Sequence, residues 1–366
     1  MIKMLSLFSG IGAFESALKN IGVDFEVVNY CEIDKYASKS YSLIHDIPES
    51  KNLKDVTKIT EWDILDTVDL LSYGFPCQDI SVMGEQKGFV NDDNTLTRSG
   101  LFFNALDVIK MFKPKVAIAE NVKNLTSKRF SKQFKIVLDS LDEAGYNCYW
   151  QVLNAKDYGI PQNRERVFIV SIRKDIDKGF TFPVKIPLTM CLKDLLESEV
   201  NEKYYLSDKM LAYFESNSEL MRERKNGFIF SPTNGEGIAK SITTMAGSRI
   251  TDNFIIVKEP KLEQVGTLNR PTTHDFSNRV YSPDGLARTL MGDGGNQNDK
   301  AGQYLIDEKI RRLTPRECFR VMGFKDEEFN KLVGISDTQL YKQAGNSIVV
   351  PVLEAIFTNL YKVVKQ

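Results

Sequence analysis

The sequence predicts an α/β chain in which a doubly wound, mostly parallel sheet carries helices on its faces and a smaller domain, mostly β or irregular, follows. Three observations predict it. Short apolar runs alternate with helical patterns over roughly the first 175 residues, the rhythm of strands linked by crossover helices. A glycine-bearing turn follows the first run and opens the first helical pattern. From about residue 187 to 310 the texture changes, with more Gly, Asn, Thr and Ser and only short apolar runs.

Taken in order, residues 4–8, 25–30, Leu70–Tyr73, 116–119, 146–153 and 167–171 read as strands. Ala13–Asn20 and residues 101–112 carry apolar side chains at helical spacing. Pro183 and Pro187 break the alternation. Helical texture returns at Thr314, which can cap, with Pro315 at the first helical position and Glu317 placed to complete a capping box. Residues 351–364 read as a closing helix. The expected division is a catalytic domain at 1–186, a second domain at 187–324 and a segment at 325–366 that returns to the first.

Composition narrows the function classes. The 366 residues carry a net charge of −1, so no global field draws in nucleic acid and any such contact must use local patches. One patch comprises Lys123, Lys128, Arg129, Lys132 and Lys135, with no acid between Asn121 and Leu138. The five cysteines are scattered without a CxxC pair, which argues for reduced thiols and against a disulfide framework or zinc site. Two histidines leave little room for Ser-His-Asp chemistry or histidine-ligated metal. No apolar run reaches the ~18 residues of a membrane span, and the start lacks a signal-peptide layout. A cytoplasmic protein is expected.

Five short motifs carry the chemistry. In Phe8-Ser9-Gly10-Ile11-Gly12 the glycines let the backbone turn and approach a ligand closely, and Glu32, about 20 residues later, is placed to meet a ribose hydroxyl pair. The full GxGxxG is absent, so a plain structural turn stands as the alternative. Cys77 follows an apolar strand in Gly74-Phe75-Pro76-Cys77-Gln78. Its thiol is either core filler or a nucleophile held at a strand end. Glu120-Asn121-Val122 ends a strand at the same sheet edge. There a carboxylic acid with a raised pKa can protonate a substrate, or it is an ordinary strand-end carboxylate. Gln162-Asn163-Arg164-Glu165-Arg166 puts two arginines on one face of a strand by alternation. Gln343-Ala344-Gly345-Asn346-Ser347 lies far downstream. A polar loop at 84–98, hinged by Gly84 and Gly88, reads as a lid.

That ordered set resembles the C5-cytosine DNA methyltransferase family over nearly the whole chain. The resemblance implies a Rossmann-like domain binding S-adenosylmethionine, released as S-adenosylhomocysteine, and a target recognition domain in the 187–324 segment. It implies that Phe8, Gly10, Ile11, Gly12, Pro76 and Leu101 line the cofactor pocket. Glu32 would hold the ribose, Ile33 the adenine face, and Asp55 with Val56 the adenine amino group, while Asn346 and Ile348 close the pocket. Cys77 would attack C6 of a flipped cytosine and Glu120 would protonate N3. Arg166 would bond the ring, and Arg164 would hold the catalytic loop and the base. Gln78 and Ser81 would contact the flanking phosphate or the bases left behind, and Arg279 and Thr289 would act in recognition. Arg311, Arg312, Arg316, Lys123 and Lys128 are expected on phosphates. The implied partner is double-stranded DNA, acted on by a monomer, with a cognate restriction endonuclease as a further candidate. A tRNA cytosine methyltransferase and an inactive DNA-binding relative are the alternatives.

Overall fold

The structure is a computed structural model that describes residues 1–76, 89, 97–225, 227–259, 264–267, 279–281 and 307–364. Two compact units divide the chain. The larger contains Met1–Leu196, Gly237–Ala246 and Pro315–Gln366, and the smaller contains Glu197–Glu236 and Gly247–Thr314. These limits differ from the expected ones, because 187–196, 237–246 and 315–324 pack with the larger unit. Leu192, for example, donates its N–H to the Gly237 carbonyl at 2.9 Å.

The larger unit begins with β1 (Ile2–Leu7), α1 (Ala13–Asn20), β2 (Phe25–Cys31), α2 (Lys35–His45), β3 (Leu70–Tyr73), α3 (Phe102–Phe112) and β4 (Val116–Val122). It continues through α4 (Ser131–Glu143), β5 (Tyr146–Asn154), β6 (Gln162–Asn163) and β7 (Glu165–Arg173). The six-stranded sheet has the order β2-β1-β3-β4-β7-β5. β1 pairs in parallel with β2 and β3, and β3 with β4, whereas β7 runs antiparallel to both of its neighbours. All six strands expected from the apolar runs are present. Central strands need apolar residues on both faces, and every residue of β3 is buried. α4 buries Phe134, Val137 and Leu141, one stripe at helical spacing.

In the smaller unit, α5 (Asp208–Glu223) is a 16-residue helix. The two-residue β8 (Ala239–Lys240) belongs to the larger unit and pairs with β6. β9 (Phe254–Glu259), β10 (Gln264–Thr267), β11 (Arg279–Tyr281) and β12 (Asp307–Arg312) follow in the smaller unit as two antiparallel pairs, β9 with β12 and β10 with β11. Its core gathers Phe214, Phe230 and Phe254, with ring centroids 5.1–5.5 Å apart. The chain then returns to the larger unit through α6 (Pro315–Val321), α7 (Asp326–Asn330), α8 (Asp337–Asn346) and α9 (Val350–Val364). Phe357 of α9 meets Phe14 of α1 edge-on at 6.2 Å, and Asn20 donates to Glu354 at 2.7 Å, so the closing helix covers the first one.

Candidate active site

The end of the site expected to hold the cofactor is built largely from backbone. β1 runs into Phe8 at φ 52°, Gly10 at φ 56° and Gly12 at φ 81°. Three left-handed residues in five turn the chain sharply, and a non-glycine at such a φ is uncommon. The Ser9 N–H donates to the Cys31 carbonyl at 3.1 Å, and Gly12 N–H to the Ser9 carbonyl at 2.9 Å. Glu32, just past β2, accepts the Gly10 N–H on Oε2 and the Asp34 N–H on Oε1, both at 2.8 Å. Each oxygen keeps lone-pair capacity for a ligand hydroxyl. Burial raises the Glu32 carboxyl above its ordinary value against the lowering effect of those two N–H groups.

The other positions expected around the cofactor differ in exposure. Ile33 beside Glu32 is 77% exposed, an apolar face with nothing packed over it. Asp55 caps a short turn by accepting from Thr57 N–H at 3.0 Å and Thr57 hydroxyl at 2.7 Å, bonds that lower its pKa. Added at Gly10, a Cβ would meet nothing within 4 Å, so the turn is open on that side. Ile11 and Val56 are buried, at 2% and 7% exposure, and would meet a ligand through their backbone. Leu101 is half-buried, and Asn346 is exposed at the end of α8.

The end expected to meet the base is built from side chains. Tyr73 of β3 lies beside Ala119 of β4, so Gly74 comes beside Glu120. A Cβ at Gly74 would lie 3.7 Å from Glu120 Oε2 and 3.9 Å from Ile348 Cδ1, which brings the ends of β3 and β4 together with the late segment. Arg166, opposite Val122 on β7, places Nε 3.0 Å from Glu120 Oε1. Burial pushes the Glu120 carboxyl above its ordinary value, outweighing the lowering effects of Arg166 and Arg164. Asn121 donates to the Phe75 carbonyl at 3.0 Å and so fixes the approach to half-buried Pro76.

Cys77, Gln78, Ser81 and Thr289 lie outside the described residues, as does most of the loop at 84–98. Of Arg279 only the backbone, in β11, is described. Three of the described cysteines, Cys31, Cys148 and Cys318, are placed as poor nucleophiles. Burial, with Glu32 and Asp55 nearby, pushes the Cys31 thiol up to about 12, burial also raises Cys148, and Cys318 is 0% exposed.

Arg164 and Arg166 part company. Arg164 is 4% exposed and donates through Nη1 to Ser241 hydroxyl (3.1 Å) and Ile242 carbonyl (3.0 Å). Through Nη2 it donates to the Gly345 (3.0 Å) and Ser347 (2.8 Å) carbonyls. It therefore holds the segment carrying Asn346 and Ile348. The arginines expected on phosphates engage other groups of the protein. Arg311 is 2% exposed and donates to the Arg312 carbonyl, so it is not displayed to a phosphate. Arg312 lies over the Tyr204 ring, and Arg316 stacks on Phe329 at 4.6 Å beside Asp326. Within the basic patch, Lys123 pairs with Glu165 and Lys135 with Asp139, which leaves less free positive charge than the sequence suggested.

The family model described as C-5 cytosine-specific DNA methylase matches residues 2–362. The chain belongs to this family. Orphan methyltransferase M.SPRI of Bacillus phage SPR is 34% identical, with 98% of this chain and 97% of that protein covered. Type II methyltransferase M.HhaI of Haemophilus parahaemolyticus is 35% identical, covering 98% and 94%. Among solved structures, S. pombe Dnmt2 methyltransferase matches with a TM-score of 0.67 at 20% identity over 99% of each chain, a likeness of fold. The enzyme is a DNA cytosine methyltransferase of Rossmann-like fold, and its family implies S-adenosylmethionine as methyl donor.

Several residues that shape the methylase site escaped the sequence reading. Asn52 accepts the Glu32 N–H at 3.0 Å and donates to the Glu32 carbonyl at 2.9 Å, bracketing that residue. Gln162, fully buried, bonds the Val321 carbonyl and the Ile242 N–H. Gln162 and Asn121 were noticed only as parts of their motifs. Among the described residues no group of three or more His, Cys, Asp or Glu could hold a metal, and no helix is long and apolar enough to cross a membrane.

Proposed function

We propose that the enzyme flips one cytosine out of duplex DNA and methylates its C5 through a covalent adduct with Cys77. Cytosine C5 is a poor nucleophile. Addition of the Cys77 thiolate to C6 forms a C–S bond and moves electron density into the ring, raising charge at N3. Glu120 donates a proton there, and Arg166 holds the acid and the ring in register. S-adenosylmethionine, when bound, supplies an electrophilic methyl group on a sulfonium. C5 would accept that methyl, and the donor, which residues 8–12, Glu32 and Asp55 would hold, would leave as S-adenosylhomocysteine. The N3 proton returns to Glu120, and loss of the C5 proton to a base with expulsion of the thiolate then restores the C5–C6 double bond.

The observation that carries this reading is the half-buried Glu120, held beside Arg166 and beside the Gly74-Phe75-Pro76 approach to Cys77. Burial favours its protonated form, the form a general acid needs. The cofactor would sit on residues 8–12, Glu32, Ile33 and Asp55, whose open turn and spare carboxylate lone pairs suit an adenosyl ligand. The smaller unit, with Arg279 and Thr289, would read the DNA sequence, while Gln78 and Ser81 would meet the flipped nucleotide's surroundings. The enzyme is taken to act as a cytoplasmic monomer, with or without a cognate restriction endonuclease.

Duplex DNA carrying 5-fluorocytosine at the target, which has no C5 proton to lose, should trap an adduct that survives denaturing gels. An enzyme active on ordinary DNA that forms no such adduct removes Cys77 as nucleophile. Methylation of tRNA but not duplex DNA would overturn the substrate.

A further inference from the structure

We propose that His45 is a positioning residue for the cofactor turn: it fixes the peptide between Ile11 and Gly12 in its ligand-ready orientation without touching the cofactor. The inference rests on the reading that this turn cradles S-adenosylmethionine.

The geometry is specific. His45 is the last residue of α2, and its Nε2 lies 3.0 Å from the Ile11 carbonyl oxygen. The N–H of the same peptide, on Gly12, donates to the Ser9 carbonyl at 2.9 Å. One peptide plane is therefore held at both ends, one by a side chain from another helix. The ring also occupies the space over Gly12, where a Cβ would lie 2.0 Å from His45 Nε2. Glycine at position 12 thus serves the histidine as well as the turn, since its φ of 81° already disfavours a side chain.

The ring is itself braced. Tyr41, one turn earlier on α2, packs on it with centroids 4.8 Å apart and stacks on Tyr30 at 4.0 Å. The Tyr41 hydroxyl donates to Glu15 Oε1 of α1 at 2.9 Å. Beyond the helix end, Lys331 donates to the Ile44 carbonyl at 2.9 Å and pairs with Asp46 at 2.5 Å. The chain from Tyr30 through Tyr41 and His45 to the Ile11 carbonyl thus links β2 and α2 to the turn, and Glu15 ties α1 to it.

A carbonyl can only accept, so Nε2 must carry the proton. Burial lowers the His45 pKa to about 4, which keeps the ring neutral and in a single tautomer at neutral pH. The groups around it that bear on this are Lys19 of α1, Lys331 and Asp46, with Glu15 and Tyr41 behind. A turn that loses its anchor must be ordered by the ligand, so the loss appears in affinity rather than in the chemical step.

The test uses the full chain, without DNA for affinity and with duplex DNA for turnover. S-adenosylhomocysteine affinity is measured by calorimetry for wild type, His45→Ala, His45→Phe, His45→Gln and Glu32→Ala. Glutamine can place an amide donor near Nε2, and phenylalanine fills the space without one. Ala and Phe should weaken binding on the order of tenfold, Gln by no more than about threefold, with kcat at saturating cofactor within about twofold of wild type. Phe binding as tightly as wild type, or Gln as weakly as Phe, overturns the proposal. Undiminished binding by Glu32→Ala would instead displace the cofactor site itself. Should the His45 variants fail to fold, nitrogen-15 histidine spectra of wild type give the answer directly, since the chain has only two histidines. A neutral Nε2–H tautomer persisting to pH 5 is expected, and an Nδ1–H tautomer or titration near pH 6.5 overturns the assignment.

Discussion

The two ends of the site are made of different materials. The cofactor end is peptide geometry: three left-handed residues, two N–H groups on one carboxylate, and a glycine that leaves room for a ring. The end proposed for the base is charge: a half-buried glutamic acid, an arginine 3.0 Å away, and a strand register that aligns them. Backbone is fixed on folding and indifferent to pH. A buried carboxyl beside a cation is a balance between burial and attraction, and it changes with protonation. The comparison predicts that binding and chemistry can be damaged separately.

The largest separation should come from Cys77→Ala. Methyl transfer from labelled cofactor to duplex DNA should be abolished, while cofactor affinity stays within about twofold. A parallel loss of affinity would mean the two ends are one structure. Glu120→Gln comes next, with single-turnover methylation slower by ~10² or more. The sign of its pH effect follows from the raised pKa. The acid form is populated below that pKa and lost as pH rises through it, so the rate should fall on the alkaline side. That limb should be missing in Glu120→Gln, and an identical limb in both enzymes would assign it to another group.

At the other end, Glu32→Ala should weaken cofactor binding by roughly 10-fold or more, since hydrogen bonds to a charged group contribute ~1.5–3 kcal/mol. The chemical step at saturation should be nearly unchanged. A slower step with unchanged affinity would reverse the roles of the two ends. The smallest effect is expected from Arg316→Ala. Its guanidinium already engages Phe329 and Asp326, so the slope of log DNA affinity against log salt should not move. A fall of roughly one in that slope would put it on a phosphate.

The sequence made the repetitive parts legible. All six sheet strands were visible as apolar runs, because central strands need apolar faces over several consecutive residues. Phe8–Gly12, Glu32 and Glu120 stood out because each sits at the end of such a run. Asn52, His45 and Gln162 did not, since each acts on backbone 20 to 159 residues away and leaves no local pattern. α5 was missed for a related reason. Its buried stripe includes Ser218, whose hydroxyl donates to the Phe214 carbonyl and accepts the Phe230 N–H, a polar residue where periodicity asks for an apolar one. Arg311 was expected on a phosphate, and its burial in β12 beside other polar groups cannot be seen in one dimension.

The grip of Arg164 also sets a timetable for biosynthesis. Its partners Gly345 and Ser347 emerge 181 and 183 residues later. At about 5–20 residues per second, roughly 9–36 seconds of translation separate the arginine from the first of them. During that interval a nascent chain already holds the glycine turn, Glu32, Cys77 and Glu120, yet its guanidinium still lacks the carbonyls of residues 345 and 347. A polypeptide stalled on the ribosome before residue 345 would carry the chemical residues without the segment that completes their setting. Interrupted synthesis should therefore yield fragments unable to mark DNA.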